Sequence, residues 1–519
     1  MYGSYHEPKF DALGLTFRLE RMVNVLFEEL VEDIDLSLIT RATFSQIYDY
    51  LRLFQRTLRL DGIPSLGLER QLDLLSHALE VRGFSLTQYL DIFRGLSQAV
   101  GNIVNDYFNN IHAQNLLKIV GGISESDLLP KYFPGDGTED RERRVHRVTE
   151  IFLRERISTS LGLQQLDVFL GRILNTLRHQ SEELPREKLG LLLGYDPQKS
   201  LTPIHPVKPQ IADLIHLGNK GLNLVRITDY GLPVPPGFII STEVFRCREL
   251  IEGYLPARRN FRQQVKREVA ALEEATGKAF GQAGNPLLLS VRSGSSVSQP
   301  GMMNTFLDVG INEAIVEDLV AMTGNTWFAW DTYRRFLQSY GMAFGLLRDT
   351  FDEIIQDRKE RAGVPFKKDL TGEQIKDVAL TYKELILESG IELEEDPIGQ
   401  LHTAIQKVFD SWYAPKAQAY RKIMGISDDW GTAVTVQAMV FGNFSRESGS
   451  GVFFTHNPRW SGDMLMPWGD FTLGNQGEDV VAGLVRTFPI SVKQAEIENR
   501  DPKERLRKPK SLRWKTRSA

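Results

Sequence analysis

The stretch Pro286–Gly310, PLLLSVRSGSSVSQPGMMNTFLDVG, holds the residues best suited to chemistry. An apolar run, Leu287–Val291, reads as a buried strand. It delivers Arg292 into a loop of small, turn-forming residues that no hydrophobic core requires. Ser293, Ser295, Ser296 and Thr305 offer hydroxyls there, and Gly294 and Gly301 offer close access to the backbone. Phosphate oxygens suit such a loop, because backbone N–H groups can approach them while a guanidinium adds fixed charge and paired donors. Met302 and Met303 gain nothing from water but can exclude it from a site that closes over a ligand. The expected ligand is a polyphosphate, ATP above all.

Four further segments carry suitable groups. In Leu217–Ile240, Lys220 lies between Gly218 and Gly221 where an amphipathic helix begins. There a lysine can meet phosphate as a point charge, with helix N-terminal amides as added donors. A surface lysine would look the same, and the GxxxxGK[ST] loop is absent. In Phe328–Gly341, the adjacent Arg334 and Arg335 of one helix point about 100° apart. One is expected to reach the site and the other to pair with surface acids. Val434–Asn443 alternates as a strand ending at a glycine turn, so Met439 and Val440 can face an adenine ring or simply fill a core. In Gly474–Gly483, Glu478 can hold Mg²⁺ between phosphate oxygens, with Asp470 and Gln476 as nearby oxygen donors.

The elements that must position these groups change character along the chain. Leu15, Leu19, Met22, Leu26 and Leu30, and later Leu166, Leu170, Ile173 and Leu177, repeat at helical spacing. Nothing in this first part resembles a phosphate loop or metal cluster, so it reads as a helical packing or docking domain. Gly135–Arg144 is a polar surface loop leading into another helix. Pro197, Pro203, Pro206 and Pro209 then mark a stiff linker. Beyond it, short apolar runs at Phe238–Ile240, Leu287–Val291, Ala433–Val440 and Gly451–Thr455 read as strands. Residues 326–424 read as helix, with Ile375, Val378, Tyr382 and Leu385 in step. The sequence therefore predicts an α+β protein whose strand-rich parts flank a helical insertion.

Length implies several domains, since 519 residues exceed one ordinary core. A net charge of −5 offers no basic field for nucleic acid. The single Cys247 excludes an internal disulfide and fits a reducing compartment, with a packing role in a helix. No secretory leader, spanning helix or zinc-ligand spacing is visible, and the expected setting is cytoplasmic. From Arg500 the chain becomes a basic tail, nine Lys/Arg against two acids, expected to be a solvated end.

Together these segments resemble the N-terminal ATP-grasp nucleotide-binding region of the pyruvate, phosphate dikinase family. The matching stretches are NKGLNL, GLPVPPGF, SVRSGSSVS followed after one residue by PGMMNT, YRRF, DWGTAVTVQAMVFGN, SGSGVFFTHNP and NQGEDVVAG. They follow the family's order from Leu217 to Phe488, and phosphoenolpyruvate synthases share a looser version. Periodicity and composition give an all-helical domain at 1–196, a Pro-rich linker at 197–210 and the tail at 500–519. The resemblance does not cover the helical region before Leu201, and it implies a two-lobed ATP-grasp domain at 211–499. It implies that Lys220, Arg292 and Arg335 contact the phosphates as the catalytic groups, with Thr305 beside them. Gln437, Met439 and Val440 would line the adenine pocket, and Glu478 would hold Mg²⁺ with Asp470 and Gln476.

In the family this domain passes the β-phosphoryl of ATP to a histidine on a swivelling domain, and a barrel domain then phosphorylates pyruvate. Here no TSHAA-like motif and no length for the barrel is found. The expectation is an incomplete phosphotransferase whose phosphohistidine acceptor lies on another chain or was lost by truncation, with pyruvate reached only indirectly. The family's GGKG stands as GNKG, MMDT as MMNT, and FTRNP as FTHNP. Asp470 replaces a Glu, and Arg486–Ile490 departs from the family's Arg-Thr-Pro-Gln/Glu. That last change favours one alternative, a nucleotide-sensing, non-catalytic interaction protein; a third reading is a degenerate remnant without ATP affinity.

Overall fold

The computed structural model describes residues 34–60, 64–81, 84–106, 113–122, 140–159, 163–205, 213–445, 447–458, 465–481, 483 and 485–500, with Val25, Glu29, Val31 and Glu32. Leu15, Leu19, Met22, Leu26, Leu30, Pro206, Pro209, Gly135–Glu139 and the tail beyond Arg500 lie outside the described residues. The chain divides into two units. The first holds residues 1–200 with 246–264, and the second holds 201–245 with 265–519.

Unit 1 is built from α1 (Arg41–Leu60), α2 (Leu66–Glu80), α3 (Leu86–Ile103), α4 (Ala113–Gly121), α5 (Arg141–Thr159), α6 (Leu163–Glu183) and α7 (Arg186–Gly194). The expected stripe on α6 forms, because Leu166, Leu170, Ile173 and Leu177 all turn inward. They meet Leu68, Leu72 and Leu75 of α2 and Phe93 and Leu96 of α3 in one core. Each such side chain contributes about 1.5–3 kcal/mol when fully buried. Ser85 starts α3 with a reciprocal cap, bonding the backbone of Gln88 while the Gln88 side chain returns to Ser85.

The chain continues with α8 (Leu214–Asp229), α9 (Thr242–Arg246), α10 (Arg248–Gly253), α11 (Leu255–Thr276), α12 (Glu313–Thr323) and α13 (Thr326–Ala343). Of these, α10 and the first half of α11 fall within the stretch assigned to unit 1. Then come α14 (Arg348–Ala362), α15 (Gly372–Glu388), α16 (Pro397–Asp410), α17 (Pro415–Met424), α18 (Gly477–Val481) and α19 (Val492–Ile497). Residues 326–424 are thus helical as expected. Asn325 caps α13, and a Thr371–Gln374 capping box opens α15.

The strands are β1 (Leu201–Pro203), β2 (Gly237–Ile240), β3 (Ala279–Phe280), β4 (Pro286–Leu287), β5 (Leu289–Gly294), β6 (Thr305–Val309), β7 (Ala433–Ala438), β8 (Gly449–Phe454), β9 (Trp468–Leu473) and β10 (Phe488–Pro489). A five-stranded antiparallel sheet runs β1–β2–β7–β5–β6. A three-stranded antiparallel sheet runs β10–β9–β8, and β3 pairs with β4 in parallel. The protein is therefore a mixture of helix and sheet.

Two expectations need correction. The run Leu287–Val291 is not one strand: β4 ends at Leu287, and β5 continues through Arg292 to Gly294. Arg292 therefore stands on a central strand opposite Thr305 of β6 and Thr435 of β7, rather than on a loop. Within the Pro-rich stretch, Leu201–Pro203 adds a strand beside β2, anchored further by the Ile204 N–H donating to Gly237 O at 2.8 Å.

Candidate functional site

Helix α8 brings Lys220 to the end of β5. Gly218 takes φ +66 within α8, and a Cβ there would stand 1.7 Å from the Gly294 carbonyl oxygen. Only glycine permits that approach. The Asn219 N–H then donates to Ser295 O at 3.0 Å, fixing α8 to the start of the serine loop. The Asn219 side chain turns along the helix and accepts from Asn223 Nδ2 at 3.0 Å. Lys220 stays exposed, yet the surrounding protein, with the charge of Arg292 adding, lowers its pKa. The Arg292 Nε is buried and makes no hydrogen bond within the protein. The far end of the serine loop is fastened as well, since the Asn304 N–H donates to Ser411 Oγ at 3.1 Å and its Nδ2 to Lys407 O at 3.4 Å. The amide donation is one an aspartate could not make.

Glu478 lies in the first turn of α18. Burial pushes its carboxyl above the ordinary range, and Arg292, then Arg335, pull it back. Lys220, Arg292, Glu478 and Arg335 therefore share one electrostatic neighbourhood, with Thr305 beside Arg292 across the strands. Along β7, Gln437 donates from Nε2 to Pro235 O at 2.9 Å, and the Met439 N–H donates to Leu288 O at 2.9 Å. Met439 is half-buried, but Val440 is 68% exposed, so this strand end opens to solvent rather than into a core.

Gln476 hooks that opening: its Oε1 accepts the Gly442 N–H at 2.9 Å and its Nε2 reaches Val440 O at 3.4 Å. Asp470 is engaged elsewhere, accepting Arg500 Nη1 at 2.9 Å. Among the described residues, no group of three or more His, Cys, Asp or Glu is placed to hold a metal ion. A single carboxylate completed by phosphate oxygens and water is nevertheless an ordinary Mg²⁺ environment.

The arginine pair on α13 differs from expectation. Neither arginine pairs with surface acids, because Arg334 and Arg335 are both buried and both bind Asp331. Positions three and four residues on from Asp331 share its helix face, and this overrides the divergence of adjacent side chains. Arg334 Nε meets Asp331 Oδ1 at 2.8 Å, and its Nη1 meets Gln338 Oε1 at 2.9 Å. Arg335 Nε meets Asp331 Oδ2 at 2.9 Å, while its Nη2 crosses to Asp479 Oδ2 at 2.6 Å.

Lys367 adds a third cation, 3.0 Å from Asp331 Oδ1. Against the effect of burial, Arg334, Arg335 and Lys367 hold Asp331 well below the usual carboxylate range. Burial and the two arginines together press Lys367 down to about 7, although Asp331 and Asp479 oppose them. Asp308 lies in the same field. It is buried at φ 57 with neither carboxyl oxygen hydrogen-bonded to protein, and burial pushes its pKa well up. The sequence reading missed Asp308, Asp331, Lys367 and Asp479; only Asp331 had a visible signal, its spacing from the two arginines.

Residues 254–512 match the family described as pyruvate phosphate dikinase, AMP/ATP-binding domain. The chain is similar to the pyruvate, phosphate dikinase of Rhizobium meliloti (strain 1021), 43% identical over 298 residues, covering 57% of this chain and 33% of that protein. The Clostridium symbiosum enzyme is 42% identical over 278 residues, 53% of this chain and 31% of the relative. The chloroplastic enzyme of Mesembryanthemum crystallinum is 43% identical over 270 residues, 52% and 28% respectively. The matched part thus spans about a third of the length of these relatives.

Proposed function

We propose that unit 2 holds a two-lobed ATP-grasp site for Mg·ATP, a reading supported by the match of residues 254–512 to the pyruvate phosphate dikinase AMP/ATP-binding domain family. In this reading Lys220, Arg292 and Arg335 receive the phosphates, with the Thr305 hydroxyl beside them. Gln437, Met439 and Val440 receive the adenine at the open end of β7. Glu478 holds Mg²⁺; Asp470 and Gln476 would assist only by yielding their contacts to Arg500 and Gly442. The observation that carries the reading is the shared neighbourhood of Lys220, Arg292, Arg335 and Glu478, drawn from four separated segments. Bound Mg²⁺ would supply charge neutralisation at the phosphates. The chain's own groups orient the phosphoryl group and match the charge that develops on it.

The chain would act as the phosphoryl-donating part of a dikinase-like phosphotransferase in a cytoplasmic setting. Its acceptor would be a histidine on a separate domain, with pyruvate served only through that domain. Calorimetric titration of the full chain with Mg·ATP tests the site, and Arg292→Ala is expected to weaken binding at least about tenfold. Adding a separately made phosphohistidine domain and labelled ATP tests the transfer. ATP bound without any labelled histidine would reject transfer and leave a nucleotide-sensing protein. One observation favours that second reading: Phe488 and Pro489 form β10, with Phe488 packed 5.7 Å from the Phe471 ring, where the family commonly continues towards a Gln or Glu.

A further inference from the structure

We infer that Asp479 is a positioning residue of this nucleotide site, holding the phosphate-facing arginine and the metal-facing carboxylate in a fixed relation. The inference rests on the Mg·ATP reading above and concerns a residue that reading leaves without a role. Asp479 Oδ2 accepts Arg335 Nη2 at 2.6 Å and the Gln476 N–H at 3.2 Å. The other end of the same guanidinium is pinned at Nε by Asp331, whose second oxygen is already taken by Arg334 and Lys367. Two carboxylates from α13 and α18 therefore clamp Nε and Nη2. Nη1 is left as the guanidinium nitrogen outside the clamp.

Asp479 has neighbours on both sides that matter. Glu478 precedes it on the five-residue α18, so whatever holds Asp479 also places the Glu478 carboxylate. Gln476, whose backbone N–H donates to Asp479, carries the side chain that hooks Val440 and Gly442. One carboxylate thus links the arginine, the metal-facing acid and the strand end that opens to solvent. An ion pair with both partners about nine-tenths buried is costly to assemble and is strongly felt when one member is removed. Because Asp479 acts through Arg335 and Glu478, its loss should appear in nucleotide affinity and in Mg²⁺ demand together.

The experiment is a calorimetric titration of the full chain with ATP at a series of Mg²⁺ concentrations, on the parent and on Asp479→Asn. Asp479→Asn keeps the size of the side chain and removes its charge. The expected result is a Kd for Mg·ATP raised about tenfold or more, with the Mg²⁺ concentration for half-maximal binding raised as well. Loss of folded protein alone lowers the amount of binding without moving the Mg²⁺ midpoint. A variant with the parent's Kd and midpoint, or with reduced binding capacity at an unchanged midpoint, overturns the inference. Should Asp479→Asn not fold, Asp479→Glu keeps the charge while displacing α18. It is expected to raise the Mg²⁺ midpoint, and an unchanged midpoint there overturns the inference too. A parent chain that binds no Mg·ATP would instead reject the underlying function.

Discussion

Charge is unevenly matched around Asp331. Arg334, Arg335 and Lys367 surround two carboxylates, Asp331 and Asp479, both held below their ordinary range. Burial first, and then the positive surplus of the two arginines, lowers the Lys367 pKa to about 7. Its folded pKa lies below the unfolded value of 10.5, so between those values the unfolded chain binds more protons. Stability should therefore rise with pH from about 7 towards 10.5 on this account, and Lys367→Met should flatten the rise in urea denaturations across that window. Asp308 has the opposite slope. Its folded pKa is raised above 3.8, so it costs stability as pH climbs past that value. Asp308→Asn removes the buried carboxyl and should stabilise the protein at pH 7, at a backbone φ of 57 that Asn tolerates. A lower denaturation midpoint for that variant would contradict this account. Asp331→Asn leaves two buried arginines short of a partner and should cost about 3–5 kcal/mol in the same assay.

At the scale of elements, the site depends on how closely α8 approaches β5. Gly218→Ala would place a methyl group against the Gly294 carbonyl at a φ that alanine avoids. The start of α8 must then withdraw, carrying Lys220 away from Arg292. The expected result is weaker Mg·ATP binding together with a stability loss above about 1 kcal/mol. Gly221→Ala is the matched control. Its new methyl meets only the Ile239 side chain, at 3.0 Å, which can shift, so a smaller effect on both measurements is expected. Equal losses from the two substitutions would show that crowding of the helix, and not the contact with Gly294, sets the site.

For the whole molecule, residues 246–264 belong to unit 1 although they interrupt the sequence of unit 2. Helix α10 packs on α7, and Leu250, Ile251, Tyr254, Ala257 and Phe261 are buried. A fragment starting at Leu201 would expose this apolar face. It should bind a hydrophobic dye and lose thermal stability, whereas the full chain should do neither. A monomeric, dye-silent fragment melting at the parent's temperature would refute that expectation. Among the described residues no helix is long and apolar enough to cross a membrane.

Much of the helical architecture was legible in the sequence, because the stripes on α6 and α15 follow from 3.6-residue periodicity alone. The strand cores of β2, β5, β7 and β8 were legible too, as runs of apolar or β-branched residues. Strands β1 and β10, at three and two residues, are too short to carry a period and exist only through their partners β2 and β9. The cations of the candidate site could be named from residue type and local spacing. Which acid would hold each one could not. Arg335 finds Asp479 at a separation of 144 residues, a pairing fixed by how α13, the loop after β7 and α18 pack. Local sequence sets torsions and periodicity, whereas contacts between distant segments depend on the packing of every element between them.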